Sequence, residues 1–275
     1  MKQRRWQGAV LAGCVGLFVA ACKPALPPPP PPPTVIVYGD SLTNGSQGFI
    51  QAGIAQRRPG WRVVVRSYGG TAICDWFGHM QQDSNLNARL VVIQFSGNLL
   101  TPCVAGIASG SSAHVAKYTA DAHSAASIWT QRGVKVLFVG NPGPFLEPPP
   151  LAPTPHLLDA AYELVATARA ASGVSFSNLP EMALAVPDLS NPVQFVFPLR
   201  MPCLSSELTQ PGCVLDFTDN TYKIQVRDGL PPDAGSPTLR GHFCPVAHAS
   251  PCPVYASGAF RFGDAIAAAA APLMT

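Results

Sequence analysis

Four short β-branched runs, separated by stretches of a different texture, most constrain what this chain can fold into. Residues 35–38, 61–67, 90–94 and 134–139 are too apolar and too brief for anything but strands buried on both faces. Residues 48–56, 113–132 and 156–171 instead carry helical spacing, with Leu157, Leu158, Ala161, Tyr162 and Val165 on one side of the last. Strand alternating with helix predicts an α/β fold, a doubly wound central parallel sheet between helices, whose sites lie at the carboxyl ends of the strands.

Other stretches interrupt this alternation. Residues 141–155 hold seven prolines and are expected to form an irregular loop, and residues 191–220 read as a cysteine-stapled excursion. The alanine-rich tail, residues 265–273, is too short to span a bilayer and predicts a C-terminal surface helix. No internal repeat is present.

The amino terminus reads as a targeting segment. Lys2, Arg4 and Arg5 precede an apolar run of about residues 6–21, shorter than a spanning helix needs, which ends in small residues before Cys22. Val19, Ala20, Ala21 and Cys22 resemble a bacterial lipobox, so residues 1–21 are expected to be a lipoprotein signal peptide and Cys22 the lipidated residue. That places the protein in the cell envelope, anchored on the extracytoplasmic face of the membrane. Residues 22–33 form a linker in which Pro27 to Pro33 are consecutive, favouring a stiff polyproline II rod. Residues 34–275 are then the folded domain.

Charge excludes one large class of function. The formal charge of +3 is carried by the three basic residues of the leader, so the remainder is close to neutral. No cluster of Lys and Arg marks a nucleic-acid footprint. Hydrophobic residues make up 47%, ample for a core, and charged residues only 12%; a monomer is expected.

Cysteine usage agrees with export. With Cys14 in the leader and Cys22 lipidated, six remain: Cys74, Cys103, Cys203, Cys213, Cys244 and Cys252. An even number in an exported chain points to disulfides, and of the many possible pairings we take sequential order. His242, Cys244, His248 and Cys252 are ligand-type residues in one stretch, but oxidising surroundings and irregular spacing argue against zinc. No glycine-rich phosphate loop precedes a lysine, so neither metal nor cofactor is expected.

The strand ends carry the chemistry. After the first run comes Gly39-Asp40-Ser41-Leu42, where a tight turn into a helix would present a serine hydroxyl at the positive end of the helix dipole, as a nucleophile requires. The second run is followed by Gly69-Gly70 and the third by Gly97-Asn98, which could supply a close backbone N–H and a side-chain amide to an oxyanion. His242 follows a predicted strand at residues 222–226 and is the candidate base. His79, His114, His123, His156 and His248 have no comparable placement and read as surface or loop residues. Tyr68, Trp76 and Phe77 could line a substrate site, although packing is their expected use.

These residues together resemble the SGNH or GDSL hydrolases over about residues 35–265. Gly39 to Leu42 is similar to the family's first block, Gly70 or Gly69 to its second, Gly97-Asn98 to its third and His242 to its last. The resemblance implies a three-layer α/β/α fold and an ester-cleaving serine site, with oxyanion donors from the Ser41 and Gly70 backbones and the Asn98 side chain. Two positions depart from the pattern. Leu99 stands where the third block often has Asp, and Leu239 stands where the last block places its Asp. Arg227-Asp228-Gly229 resembles the start of that last block, split from His242 by an insertion, which makes Asp228 the candidate acid. Asp233 competes, and a backbone carbonyl could hold His242 Nδ1 instead.

The expected function is a serine esterase acting on acyl or acetyl esters, of envelope glycans or lipids. An O-acyltransferase using a glycan acceptor shares the chemistry up to the acyl-enzyme. A catalytically inactive binding lipoprotein is the alternative from another class. Pairing Cys74 with Cys103 would join the loops carrying the two proposed oxyanion donors, pairing Cys244 with Cys252 would restrain the segment after His242, and Cys203 with Cys213 would staple a surface loop.

Overall fold

The structure, a computed structural model, describes residues 29–142, 158–184, 186–188, 191–196, 200–226, 243–244 and 250–275. The chain divides into two units, residues 1–31 and 32–275. Of the first only residues 29–31 are described, and they have no regular secondary structure. Cys22, Asp228, Asp233, His242, His156 and His248 lie outside the described residues, as does most of the proline-rich 141–155 segment.

Five strands form one sheet in the order β2-β1-β3-β4-β5: β1 (Thr34–Gly39), β2 (Arg62–Ser67), β3 (Ala88–Gln94), β4 (Lys135–Val139) and β5 (Val174–Ser177). Every pairing is parallel, with Val35 opposite Val63 on one side and Leu90 on the other. The order places the switch point between β1 and β3, so their carboxyl ends flank the crevice where doubly wound folds place ligands.

Alternation along the strands builds the two covered faces. Val35, Val37, Leu90, Val92, Leu137 and Val139 face a core shared with α1 (Ser41–Arg57) and α6 (Gly258–Ala270). Ile36, Tyr38, Val91, Ile93, Val136 and Phe138 face a second core with α2 (Phe77–Gln82), α3 (Ser112–Thr130) and α4 (Asp159–Ala168). The result is the expected α/β/α sandwich.

Several details differ from the sequence expectation. The first helix begins at Ser41 rather than near residue 48, because the buried Asp40 carboxylate caps it and Leu42 and Thr43 continue its buried face. Strand β2 is only partly buried, as an edge strand with one neighbour. Strand β5, Val-Ser-Phe-Ser, escaped the pattern because serine alternates with the apolar residues. The alanine-rich tail is no surface helix: α6 starts at Gly258 and buries Phe262, Ile266, Ala267 and Ala270 beside α1. Arg57 on α1 pairs with Asp264 on α6 at 2.7 Å.

The remaining elements are short. They are α5 (Leu179–Met182), the antiparallel pair β6 (Val186–Asp188) and β7 (Asn191–Val196), and a small antiparallel sheet ordered β8-β10-β9 from β8 (Arg200–Pro202), β9 (Val214–Asp216) and β10 (Thr221–Gln225). The predicted strand at 222–226 is β10, so it belongs to the excursion and not to the central sheet. A buried ion pair clasps the excursion to the core. Arg261 of α6 meets Glu207 through two bonds of 2.9 and 2.6 Å, and also donates to the Pro202 carbonyl. Among the described residues, no helix is long and apolar enough to cross a membrane.

Candidate active site

Ser41 is the first residue of α1, with Asp40 alone between it and the end of β1. A helix leaves its first N–H groups without intrahelical partners, and here two of them are taken by side chains. Asp40 Oδ1 accepts from Leu42 N at 3.0 Å, and Gln94 Oε1 accepts from Thr43 N at 3.2 Å. Among the described residues, neither the amide nor the hydroxyl of Ser41 has a hydrogen-bond partner, and the residue is partly exposed. A free N–H at the positive end of the helix beside a free hydroxyl is the arrangement a nucleophile and oxyanion donor need.

The loop after β2 comes up against this serine. Tyr68 N donates to the Gly39 carbonyl at 3.3 Å, and a methyl group added at Gly69 would sit 3.7 Å from Ser41 Cβ. Gly70 follows with φ +79°, a left-handed conformation that glycine adopts without strain. Thr71 closes the turn by donating to the Tyr68 carbonyl at 2.8 Å, and the Trp76 indole donates to Thr71 Oγ1 at 3.1 Å. Trp76 and Phe77 pack against the second core, as expected, whereas Tyr68 is 69% exposed and does not.

The loop after β3 is tied to the same place. Asp40 Oδ2 accepts from both Ser96 N and Ser96 Oγ at 2.6 Å. Asn98 Nδ2 donates to Asp40 Oδ2 at 3.2 Å and to the Thr71 carbonyl at 3.3 Å, so one side-chain amide bridges all three loops. Both bonds are long, and an incoming oxyanion would compete for either N–H. Two buried tyrosines fix the loop from below: Tyr118 of α3 donates to the Asn98 carbonyl at 2.6 Å and Tyr162 of α4 to the Phe95 carbonyl at 2.9 Å. Leu99 leaves no carboxylate after Asn98, and Asp40 is the one that meets its amide instead.

Asp40 is fully buried. Burial raises its pKa above the ordinary carboxylate value, and hydrogen bonds from Ser96, Leu42 and Gln94 oppose the rise. His114, read from sequence as a surface or loop residue, is instead buried on α3, stacked edge-on against Tyr118 at 5.1 Å; burial lowers its pKa. His79 is exposed and lies against Trp76, while His123 accepts from Arg169.

Among the described residues three disulfides are present, Cys74–Cys103, Cys203–Cys213 and Cys244–Cys252, in the expected sequential order. The first joins the loops after β2 and β3. The third removes two of the four ligand-type residues weighed for zinc.

Asp228 and His242 lie outside the described residues, but the segments flanking them are placed. Val226 is buried with its carbonyl so close to Gly258 that a Cβ there would sit 1.7 Å from it. On the other flank, Phe243 packs its ring 4.8 Å from that of Phe262. Val226 and Phe243 therefore both rest within one turn of α6. Cys252 N donates to the Gly45 carbonyl at 2.9 Å, tying Cys252 to the beginning of α1.

Sequence reasoning missed a buried polar chain beneath the serine. Thr43 Oγ1 donates to Gln94 Oε1 at 2.6 Å, Gln94 Nε2 donates to Asn141 Oδ1 at 2.7 Å, and Asn141 N and Nδ2 donate to Asp159 at 3.2 Å. Asp159 faces Glu181 of α5, and burial followed by that second carboxyl group pushes its pKa up to about 8. A glutamine ending the apolar run Leu-Val-Val-Ile was the available signal.

No family model matches the chain, and no curated protein matches it. Among solved structures the chain is similar to TesA, with 20% identity and a TM-score of 0.41 over 60% of this chain and 89% of that one. It is similar to a catalytic mutant of an acetylxylan esterase from Geobacillus stearothermophilus, with 15% identity and a TM-score of 0.41 over 55% and 77% of the two chains. A carbohydrate acetylesterase from Sinorhizobium meliloti gives 14% identity and a TM-score of 0.39 over 54% and 84%.

Proposed function

We propose that this protein is a carboxylic ester hydrolase of the SGNH type, with Ser41 as nucleophile, His242 as general base and Asp228 as the acid that orients it. The observation that carries the reading is the free amide and hydroxyl of Ser41 at the start of α1, with the Gly69 backbone against its Cβ and Asn98 bonded to the neighbouring Asp40.

Ser41 Oγ bonds to the ester carbonyl carbon as its proton passes to His242. The carbonyl oxygen becomes an oxyanion, held by the Ser41 and Gly70 N–H groups and by Asn98 Nδ2. Collapse breaks the ester C–O bond, and His242 returns the proton to the departing alkoxide. Water then attacks the acyl-serine with His242 again as base, releasing the acid. The anchoring of Val226 and Phe243 on one turn of α6 supports a base and acid delivered together from residues 227–242.

The substrate class is an acyl or acetyl ester of an envelope glycan or lipid. The lipobox-like leader ending at Cys22 and the three disulfides support an extracytoplasmic, lipid-anchored protein. Hydrolysis of p-nitrophenyl acetate and of longer acyl homologues by the oxidised domain tests the reading. Activity lost in Ser41→Ala with an unchanged circular dichroism spectrum is expected; an equally active Ser41→Ala protein overturns it.

A further inference from the structure

We propose that Gln94 is a positioning residue for the nucleophile, acting through Thr43 to set the first turn of α1 and hence the aim of Ser41. The inference rests on the reading of Ser41 as nucleophile and deepens it.

Gln94 is the last residue of β3 and is fully buried, in a strand whose preceding four residues are Leu90, Val91, Val92 and Ile93. An apolar residue there would pack without a desolvation cost, so a glutamine needs an account of its hydrogen bonds. Three hydrogen bonds engage both ends of its amide. Oε1 accepts from Thr43 N at 3.2 Å and from Thr43 Oγ1 at 2.6 Å. Nε2 donates to Asn141 Oδ1 at 2.7 Å.

The consequences fall on the two residues that follow Ser41 in the helix. Asp40 takes the Leu42 amide and Gln94 takes the Thr43 amide, which leaves the Ser41 N–H free among the described residues. Gln94 thus does from outside the helix what a capping side chain does from within, and in doing so keeps the serine amide available to an oxyanion. Its other end is immobilised. Asn141 follows β4 and is itself held by three bonds from its amides to Asp159 at the start of α4. The chain from Thr43 through Gln94 and Asn141 to Asp159 therefore runs across the carboxyl ends of β1, β3 and β4, and registers the nucleophile helix against the far side of the sheet.

The test compares wild type with Thr43→Val, Thr43→Ser, Gln94→Met and Gln94→Glu in the oxidised domain. Readouts are kcat and KM on p-nitrophenyl acetate, the rate of labelling by a fluorophosphonate, and Tm. Thr43→Val keeps the side-chain volume and removes only the hydroxyl bond, so it carries the test if either Gln94 variant fails to fold. Losing one or two buried hydrogen bonds that orient the nucleophile is expected to lower kcat and the labelling rate by about 10- to 100-fold, with KM within about twofold. Thr43→Ser, which retains the hydroxyl, is expected to recover most of that loss. A folded Thr43→Val protein with wild-type kcat and labelling rate overturns the proposal, as does a Thr43→Ser protein as impaired as Thr43→Val. A folded wild type that neither hydrolyses ester nor takes the label overturns the esterase reading, and the proposal with it.

Discussion

The carboxylate of Asp40 accepts both the amide and the hydroxyl of Ser96 at 2.6 Å, so the residue that caps the first helix also holds the exit of the third strand. Asn98 reaches the same carboxylate oxygen. One buried acid thereby fixes the distance between the proposed nucleophile and a proposed oxyanion donor.

Replacing that acid separates them. Asp40→Asn replaces one acceptor oxygen by a donor NH2 group, so one or more of the four hydrogen bonds the carboxylate accepts are lost, at about 0.5–1.5 kcal/mol each. The expected outcome is a melting temperature several degrees lower and a kcat reduced by about tenfold or more, with hydrolysis and thermal melts as the measurements. An Asp40→Asn protein with wild-type kcat would contradict the account of how the loops are held.

The carboxyl pair at the far end of the buried chain predicts a pH dependence of stability. Burial and the neighbouring Glu181 push the Asp159 pKa up to about 8 in the fold, while its unfolded counterpart ionises near the ordinary carboxylate value. A raised folded pKa contributes stability that is fully present below the unfolded value and is lost as pH rises through the folded one. Tm should therefore fall between about pH 4 and about pH 8. Asp159→Asn, which imitates the protonated acid, should melt higher than wild type at pH 8 and close to it at pH 4. Parallel Tm profiles for the two proteins would remove this explanation.

Two ion pairs made by α6 should behave differently. Arg261 and Glu207 are both buried and joined by two bonds, so Glu207→Ala strands a buried guanidinium and should cost about 3–5 kcal/mol. Arg57 and Asp264 are partly exposed, and Asp264→Ala should cost no more than about 1 kcal/mol. Urea unfolding of both variants checks the contrast, and equal losses would refute it.

The Cys74–Cys103 bond joins the loops that carry Gly70 and Asn98, across a sequence separation of 29 residues. Loop closure of that length stabilises by roughly 3–4 kcal/mol in the chain-entropy view. Cys74→Ala with Cys103→Ala should lower both Tm and kcat, whereas removing Cys203–Cys213 in the excursion should lower Tm and spare kcat. Equal effects of the two removals on kcat would show that the first has no special link to the site.

How much of this was legible in the sequence depended on the kind of residue. The strands of the sheet were readable where β-branched residues run unbroken, as at Val35 to Val37, and unreadable at β5, where Ser175 and Ser177 interrupt Val174 and Phe176. Ser41, Gly70 and Asn98 could be picked out because each follows a strand, and the structure brings their loops together around Asp40. The burial of α6 was missed because alanines pattern weakly; only its contact with α1 shows which side is inside. Gln94, Thr43 and Asn141 were missed because their roles come from bonds across 47 or 51 residues, which spacing does not reveal. The sequential disulfides matched expectation, while His242 and Asp228 rest on sequence and on the placement of their flanking residues.

The most direct test of the central claim is covalent labelling. The purified oxidised domain, with Ser41→Ala and His242→Ala as controls, is incubated with a fluorophosphonate and mapped by peptide mass spectrometry. An adduct on Ser41 that slows sharply in His242→Ala is the predicted result. A folded protein that takes no label at Ser41, or labels as fast without His242, would contradict the account.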